Sequence, residues 1–208
     1  MIRSHEPRTA DPSTRGQALV EFSLVLPILL LLLLTVGDFG RLFASTITIE
    51  SAAGAASETA AADYLREVVN AAPGPVPTVG YTRVHRGAWE SVCEEASALP
   101  NANPGSGGGE CSGLATVVCV HDGADPSCAE AYNDVAGIPA ECASLQPGAR
   151  PSNAQAGGAE TSTYVEVRVC YRFSTFFRLA IPSVGGTLAT LGGDFFVERS
   201  RVFTVADY

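Results

Sequence analysis

Residues Gln17–Gly37 form a run of 21 in which Glu21 is the only charged side chain. No other feature restricts the chain so tightly. At ~1.5 Å per residue a helix of that length covers ~31 Å, about one hydrocarbon thickness. A single segment in lipid must pair its own backbone N–H and C=O groups, and only a helix does so. The run is therefore predicted to be a transmembrane helix. Glu21 sits near its start, where a charge costs less than the roughly 2.5–3.5 kcal/mol paid at the membrane centre. Pro27 lies within the run, removes one helical hydrogen bond and marks a kink position. A cleaved secretory signal would have a shorter apolar core followed by an A-x-A-like site, and Leu42-Phe43-Ala44 is a poor version of one. Two readings remain open: a plain anchor in which Glu21 snorkels to the interface, and a segment cut ahead of the apolar run, after Gly16.

The junction Arg15–Phe22, RGQALVEF, runs straight into SLVLPILLLLLL. It resembles the class III prepilin signal of tight-adherence (Flp-type) pili. More closely, Arg15–Ala56 resembles the TadE-like/TadG-like pseudopilin family. The shared parts are Arg15-Gly16-Gln17, Val20-Glu21-Phe22, Leu26-Pro27 and Asp38-Phe39-Gly40-Arg41. The resemblance covers about a fifth of the chain, and its parts are specific only in combination. It implies a minor structural subunit of a type IV-related pilus assembly or secretion system. A prepilin peptidase would cut between Gly16 and Gln17, and Glu21 and Phe22 would serve assembly. The implied partners are that peptidase, the major pilin, other pseudopilins and a membrane assembly platform. Pro27 would bend the helix for filament packing. The alternative is an uncleaved, signal-anchored extracytoplasmic binding protein. The mature amino terminus separates the two.

Charge placement sets an orientation. Residues 1–16 carry three arginines against two acids; residues 38–208 carry ten arginines against nineteen acids, and the chain has no lysine. The positive-inside bias puts the amino terminus in the cytoplasm and the bulk of the chain outside; incorporation in a surface pilus is what the resemblance implies. The net charge of −9 argues against nucleic acid as a partner. All six cysteines, Cys93, Cys111, Cys119, Cys128, Cys142 and Cys170, follow the apolar run. An even number on an exported side points to a disulfide framework. A metal is not expected, since no C-x-x-C occurs and His5, His85 and His121 lack ligand spacing. Of the 15 possible connectivities, Cys93–Cys111, Cys119–Cys170 and Cys128–Cys142 is the expected one. Only Cys119–Cys170 has a motive, both lying on candidate neighbouring strands.

The expected fold class is α+β. A leader (1–16) and transmembrane helix (17–37) lead into an amphipathic helical stem (38–72). A small antiparallel-sheet head with disulfide-stapled loops (73–208) follows. In the stem, Phe39, Leu42, Phe43 and Ile47 recur at helical spacing, as do Ala53, Ala56, Ala60, Tyr64, Leu65 and Val68. That stripe either packs on the chain's own head or lets another backbone approach. Pro73-Gly74-Pro75 ends it. Beyond it, Ala88–Ala98 reads as a short helix and Asn101–Gly113 as a glycine-rich loop. Strands are expected over Ala115–His121, Thr163–Phe173 and Phe195–Val205. In the second, Val165, Val167, Val169 and Tyr171 alternate with Glu166, Arg168, Cys170 and Arg172, the pattern of a half-buried strand. Phe176–Leu191 is apolar but broken by Arg178, Pro182 and Gly185-Gly186, so it reads as a buried or membrane-surface connection rather than a second span. No catalytic constellation or cofactor motif emerges, and an enzyme is not expected. Gly105-Ser106-Gly107 lacks the nucleophile-elbow frame. Asp122, Asp125, Asp134 and Glu141 miss the EF-hand spacing and read as a solvated acidic loop. His85, between Arg83 and Arg86, reads as exposed.

Overall fold

The computed structural model describes residues 12–100, 102, 111–122, 127–132, 142, 163–176, 179–182, 188–191 and 193–205. Of the loop Asn101–Gly113, only Ala102 and Cys111–Gly113 fall among them. Asp125, Asp134, Glu141 and residues 1–11 of the expected leader lie outside them. Two compact units divide between Arg41 and Leu42.

The first helix, α1, runs Pro12–Ala71. Its amino-terminal part, from Gly16 to Gly37, has every described side chain exposed, and it is long and apolar enough to cross a membrane. Pro73 and Pro75 cannot donate the next helical hydrogen bonds, and the helix stops at Ala71, where Gly74 N–H closes onto the Ala71 carbonyl at 2.8 Å.

In the second unit, α1 buries Ile49, Ala53, Ala56, Ala60, Ala61 and Tyr64 in the main core. The alanine stripe thus packs on the chain's own head. Phe43 and Ile47 do not join it; both are more than half exposed, and Val68 is also exposed. The reason is angular. The buried set follows the Ile49–Ala53–Ala56–Ala60 line, and positions 43 and 47 fall on another side of the helix.

Helix α2 spans Thr78–Glu95, followed by a 3-10 turn at Ala96–Ala98. It begins ten residues before the expected Ala88. Gly80 and Gly87 hide that start from propensity, yet both sit where α2 meets α1. A Cβ on Gly80 would come within 2.9 Å of Val76 and 3.0 Å of Glu67, and one on Gly87 within 2.5 Å of Asp63. Close approach, rather than chain breaking, explains these glycines. Arg83 Nη1 donates to both carboxylate oxygens of Glu67, at 3.0 and 3.2 Å. Contacts of Asp63 with Gly87 and of Glu67 with Gly80 and Arg83 make α1 and α2 an antiparallel hairpin.

The sheet has the order β2-β1-β3-β6 and is antiparallel throughout. Its strands are β1 (Leu114–His121), β2 (Ser127–Tyr132), β3 (Tyr164–Ser174) and β6 (Asp194–Thr204). A second pair, β4 (Leu179–Pro182) and β5 (Leu188–Leu191), forms its own two-stranded sheet within the Phe176–Leu191 segment. On the helix-side face, Leu114, Val118 and Val120 of β1 join Val165, Val167, Val169, Tyr171 and Phe173 of β3 and the buried residues of α1 and α2. Each fully buried valine or phenylalanine contributes roughly 1.5–3 kcal/mol over its exposed state. Strand β3 is buried on both faces rather than half-buried, with Glu166 and Cys170 on the far face also hidden. On that face Ala115, Val117, Cys119, Cys142 and Cys170 cluster, with Cys128 and Phe196 against them.

Three disulfides join Cys93–Cys111, Cys119–Cys128 and Cys142–Cys170. The first is the expected pair. The other two correct the expectation. Strands β1 and β3 are neighbours, but their register sets Cys119 opposite Glu166 and Cys170 opposite Ala115. Four residues of offset, at ~3.4 Å each, put Cys170 beyond disulfide reach of Cys119. Cys128 of β2 instead lies directly opposite Cys119, which leaves Cys170 to Cys142.

Candidate functional site at the N-terminal helix junction

Gly16, Gln17, Glu21 and Phe22 lie within two turns of α1, all exposed. Positions 17 and 21 are one turn apart, so they share a face. Gln17 Nε2 donates to Glu21 Oε1 at 3.1 Å. Around Gly16, the space a Cβ would occupy is open. Phe22 is 59 % exposed. Pro27 sits inside the helix, where it leaves the Ser23 carbonyl without its usual N–H donor. Nearby hydroxyls turn inward onto the backbone: Ser23 Oγ donates to the Val20 carbonyl and Thr35 Oγ1 to the Leu31 carbonyl, both at 2.8 Å. That removes two donors from the apolar surface. Asp38 is buried and lies 3.4 Å from Arg41 Nη1, an i,i+3 pair within the DFGR segment.

The arrangement offers one carboxylate on an otherwise apolar helix, one turn from residue 17. Such a group is suited to meet a cation, and here an amide stands in that place.

The head holds two polar clusters that single-residue inspection of the sequence missed. His85 is buried, contrary to the exposed reading. Its Nε2 lies 3.2 Å from the Ser127 carbonyl of β2, and its ring stacks with Trp89 one turn on. Burial holds its pKa below the ordinary value, against the opposing effect of that hydrogen bond. Flanking arginines on a helix say little about the residue between them, because neighbours point about 100° apart.

The second cluster lies on the far face of the sheet. Glu166 accepts from Arg168 Nε, and Ser200 Oγ stands 3.4 Å from the same oxygen. His121 Nε2 lies 3.5 Å from Glu166 Oε2 but lacks hydrogen-bond geometry, so its effect is electrostatic proximity. His121 also stacks on Tyr164 at 4.3 Å. Burial alone would raise the Glu166 pKa; the facing His121 and the Arg168 guanidinium outweigh it, and the carboxyl titrates below its usual range. Asp122 accepts hydroxyl hydrogen bonds from Tyr64 (2.9 Å) and Tyr81, joining the two helices to the end of β1. Burial first, and then that carboxylate, push the Tyr81 phenol up to about 12 and raise Tyr64 as well. His85, His121 and Glu166 are buried within the fold, whereas the Asp122 carboxylate makes its ties from an exposed position. Among the described residues, no three His, Cys, Asp or Glu side chains converge as a metal site.

Residues 16–58 match the family model described as TadE-like protein. The chain carries a TadE-like domain. No curated protein and no solved structure matches the chain. The TadE-like domain opens at Gly16, takes in the exposed apolar part of α1, and ends at Glu58, inside the stretch whose alanines pack on the sheet. It supports a protein associated with tight-adherence pili, with an apolar helix long enough to cross a membrane, and leaves the disulfide-bonded cysteines outside the match.

Proposed function

We propose that this chain is a minor pseudopilin-like structural subunit of a tight-adherence pilus assembly system, cut after Gly16 by a prepilin peptidase. The amino terminus faces the cytoplasm, residues 17–37 cross the membrane and the head lies outside it. The observation that carries the reading is Glu21, held one helical turn from Gln17 at the start of the exposed apolar helix. The TadE-like match opening at Gly16 supports it. After cleavage Gln17 gains a free ammonium, and Glu21 becomes the fifth residue. A carboxylate and a neighbouring subunit's ammonium each offset the other's desolvation in low dielectric. The role is structural, not catalytic.

The test combines processing with assembly. Co-expression with a matching prepilin peptidase should remove residues 1–16, and Gly16→Val should block removal. Glu21→Gln keeps shape and hydrogen-bonding capacity but loses the charge. It should leave insertion and cleavage intact while crosslinking of the processed chain to the major pilin, and surface piliation, fail. An intact Met1 terminus in native membranes would overturn the reading.

A further inference from the structure

Strand β6 pairs with β3 along its whole length, Asp194 to Ser174 through Thr204 to Tyr164. No described strand lies on its other side. An edge of eleven residues presents a row of backbone N–H and C=O groups able to pair with another chain. Beside that edge runs a groove of about 630 Å³ between β6 and α1. Ile47, Glu50, Gly54 and Glu58 line it from the helix, and Arg201 and Phe203 from the strand. Ile47 is 54 % exposed and Phe203 40 %. At Gly54 nothing lies within 4 Å of where a Cβ would stand, so the helix wall is open there.

We infer that this groove takes an extended, basic segment of another protein, which adds as a strand to the β6 edge. A helix running beside a free strand edge is the layout in which peptide backbones add to a sheet and their alternate side chains drop between helix and strand. Charge selects the occupant. Glu50 is already engaged by Arg201. Glu58 is exposed and has no ion pair among the described residues, so the groove carries one open carboxylate within reach of the apolar side chains of Ile47 and Phe203. A lysine or arginine on the incoming strand would meet it, with β-branched residues against Ile47 and Phe203.

The same strand argues against a second copy of this chain as the occupant. Two β6 edges related by a two-fold axis normal to the sheet put residues of like parity opposite each other. Registers centred on Glu198, Arg199, Ser200 or Arg201 then oppose Glu198 with Glu198, or Arg199 and Arg201 with themselves or each other. Like charges directly opposite are destabilising. The inference concerns the head and does not depend on cleavage at Gly16.

Fluorescence polarisation on the full chain in detergent micelles tests it. The probe is a fluorescein-labelled heptapeptide alternating valine with lysine and threonine. It should bind saturably, and the same peptide with glutamate for lysine should bind about tenfold more weakly. A version with N-methylated valines, unable to pair with an edge, should not bind. Gly54→Leu fills the groove and should abolish binding. Glu58→Lys, a surface change that leaves the fold intact, should reverse the preference towards the glutamate peptide. Equal affinity for both charges, undiminished binding of the N-methylated peptide or absence of saturable binding would each overturn the inference. So would a dimer of this chain that Gly54→Leu dissolves.

Discussion

Replacing Glu166 with glutamine removes one charge from the far face of the sheet and changes almost nothing in shape. Its consequences can be worked out from the neighbours. Glu166 is 2 % exposed and is the partner of Arg168, whose side chain is 19 % exposed. Removing one member of a buried pair costs about 3–5 kcal/mol, because the other charge loses the attraction that offset its desolvation. Arg168 reaches some solvent, which places Glu166→Gln near the lower end, about 3 kcal/mol. The pH dependence supplies a second check. The Glu166 carboxyl titrates below its ordinary value in the folded chain, so the unfolded state binds the proton first as pH falls. The carboxylate's contribution is therefore complete above the unfolded value and is lost as pH drops through the lower, folded one. Thermal and urea melts of both forms in the same detergent, followed by near-ultraviolet circular dichroism, should show the gap at pH 7 and its closing below pH 4. A difference under about 1 kcal/mol at pH 7, or one that stays constant down to pH 3, would refute the assignment of this carboxylate as a charged structural tie.

Two other outcomes follow from the head. His85 is held neutral by burial, so its folded pKa lies below the unfolded value near 6.5, and stability should fall as pH drops below about 6.5, by at most ~1.4 kcal/mol per pH unit; His85→Gln should flatten that limb of the melting curve, and an unchanged slope would count against it. Non-reducing peptide mapping should recover Cys93–Cys111, Cys119–Cys128 and Cys142–Cys170 with no free thiol; alanine replacement of each pair should cost about 3.2, 2.6 and 3.6 kcal/mol in turn, following loops of 18, 9 and 28 residues, and the shortest link proving the most costly would contradict the loop-entropy basis.

Much of the architecture was legible in the sequence because its signals were local. The apolar run, the Pro73-Gly74-Pro75 stop and the alternation in β3 each announce themselves within a dozen residues. What escaped depended on partners far away in the chain. Strand β2, SCAEAY, has no β-branched residue and reads as loop; it is a strand because β1 offers it a register and Cys119 a disulfide. The first turns of α2 carry two glycines whose purpose is visible only against Glu67 and Asp63 on α1. His85 looked exposed because its burial comes from packing against β2, an element that was itself invisible. The cysteine pairing failed for a related reason. Strand adjacency was inferred correctly, but register, not adjacency, decides which sulfurs meet. At the N-terminal junction the sharing of one helix face by Gln17 and Glu21 follows from spacing alone, since one helical turn relates them without any help from the rest of the fold.

The connectivity of the three disulfides has a further meaning for how the chain is made. Each cysteine bonds the next one along: the first with the second, the third with the fourth, the fifth with the sixth. No loop encloses or crosses another. A chain oxidised in the order in which it emerges can close every link before the following pair of cysteines arrives, so its earliest encounters are also its native ones. Of the 15 pairings open to six cysteines, this is the one that vectorial synthesis reaches without reshuffling.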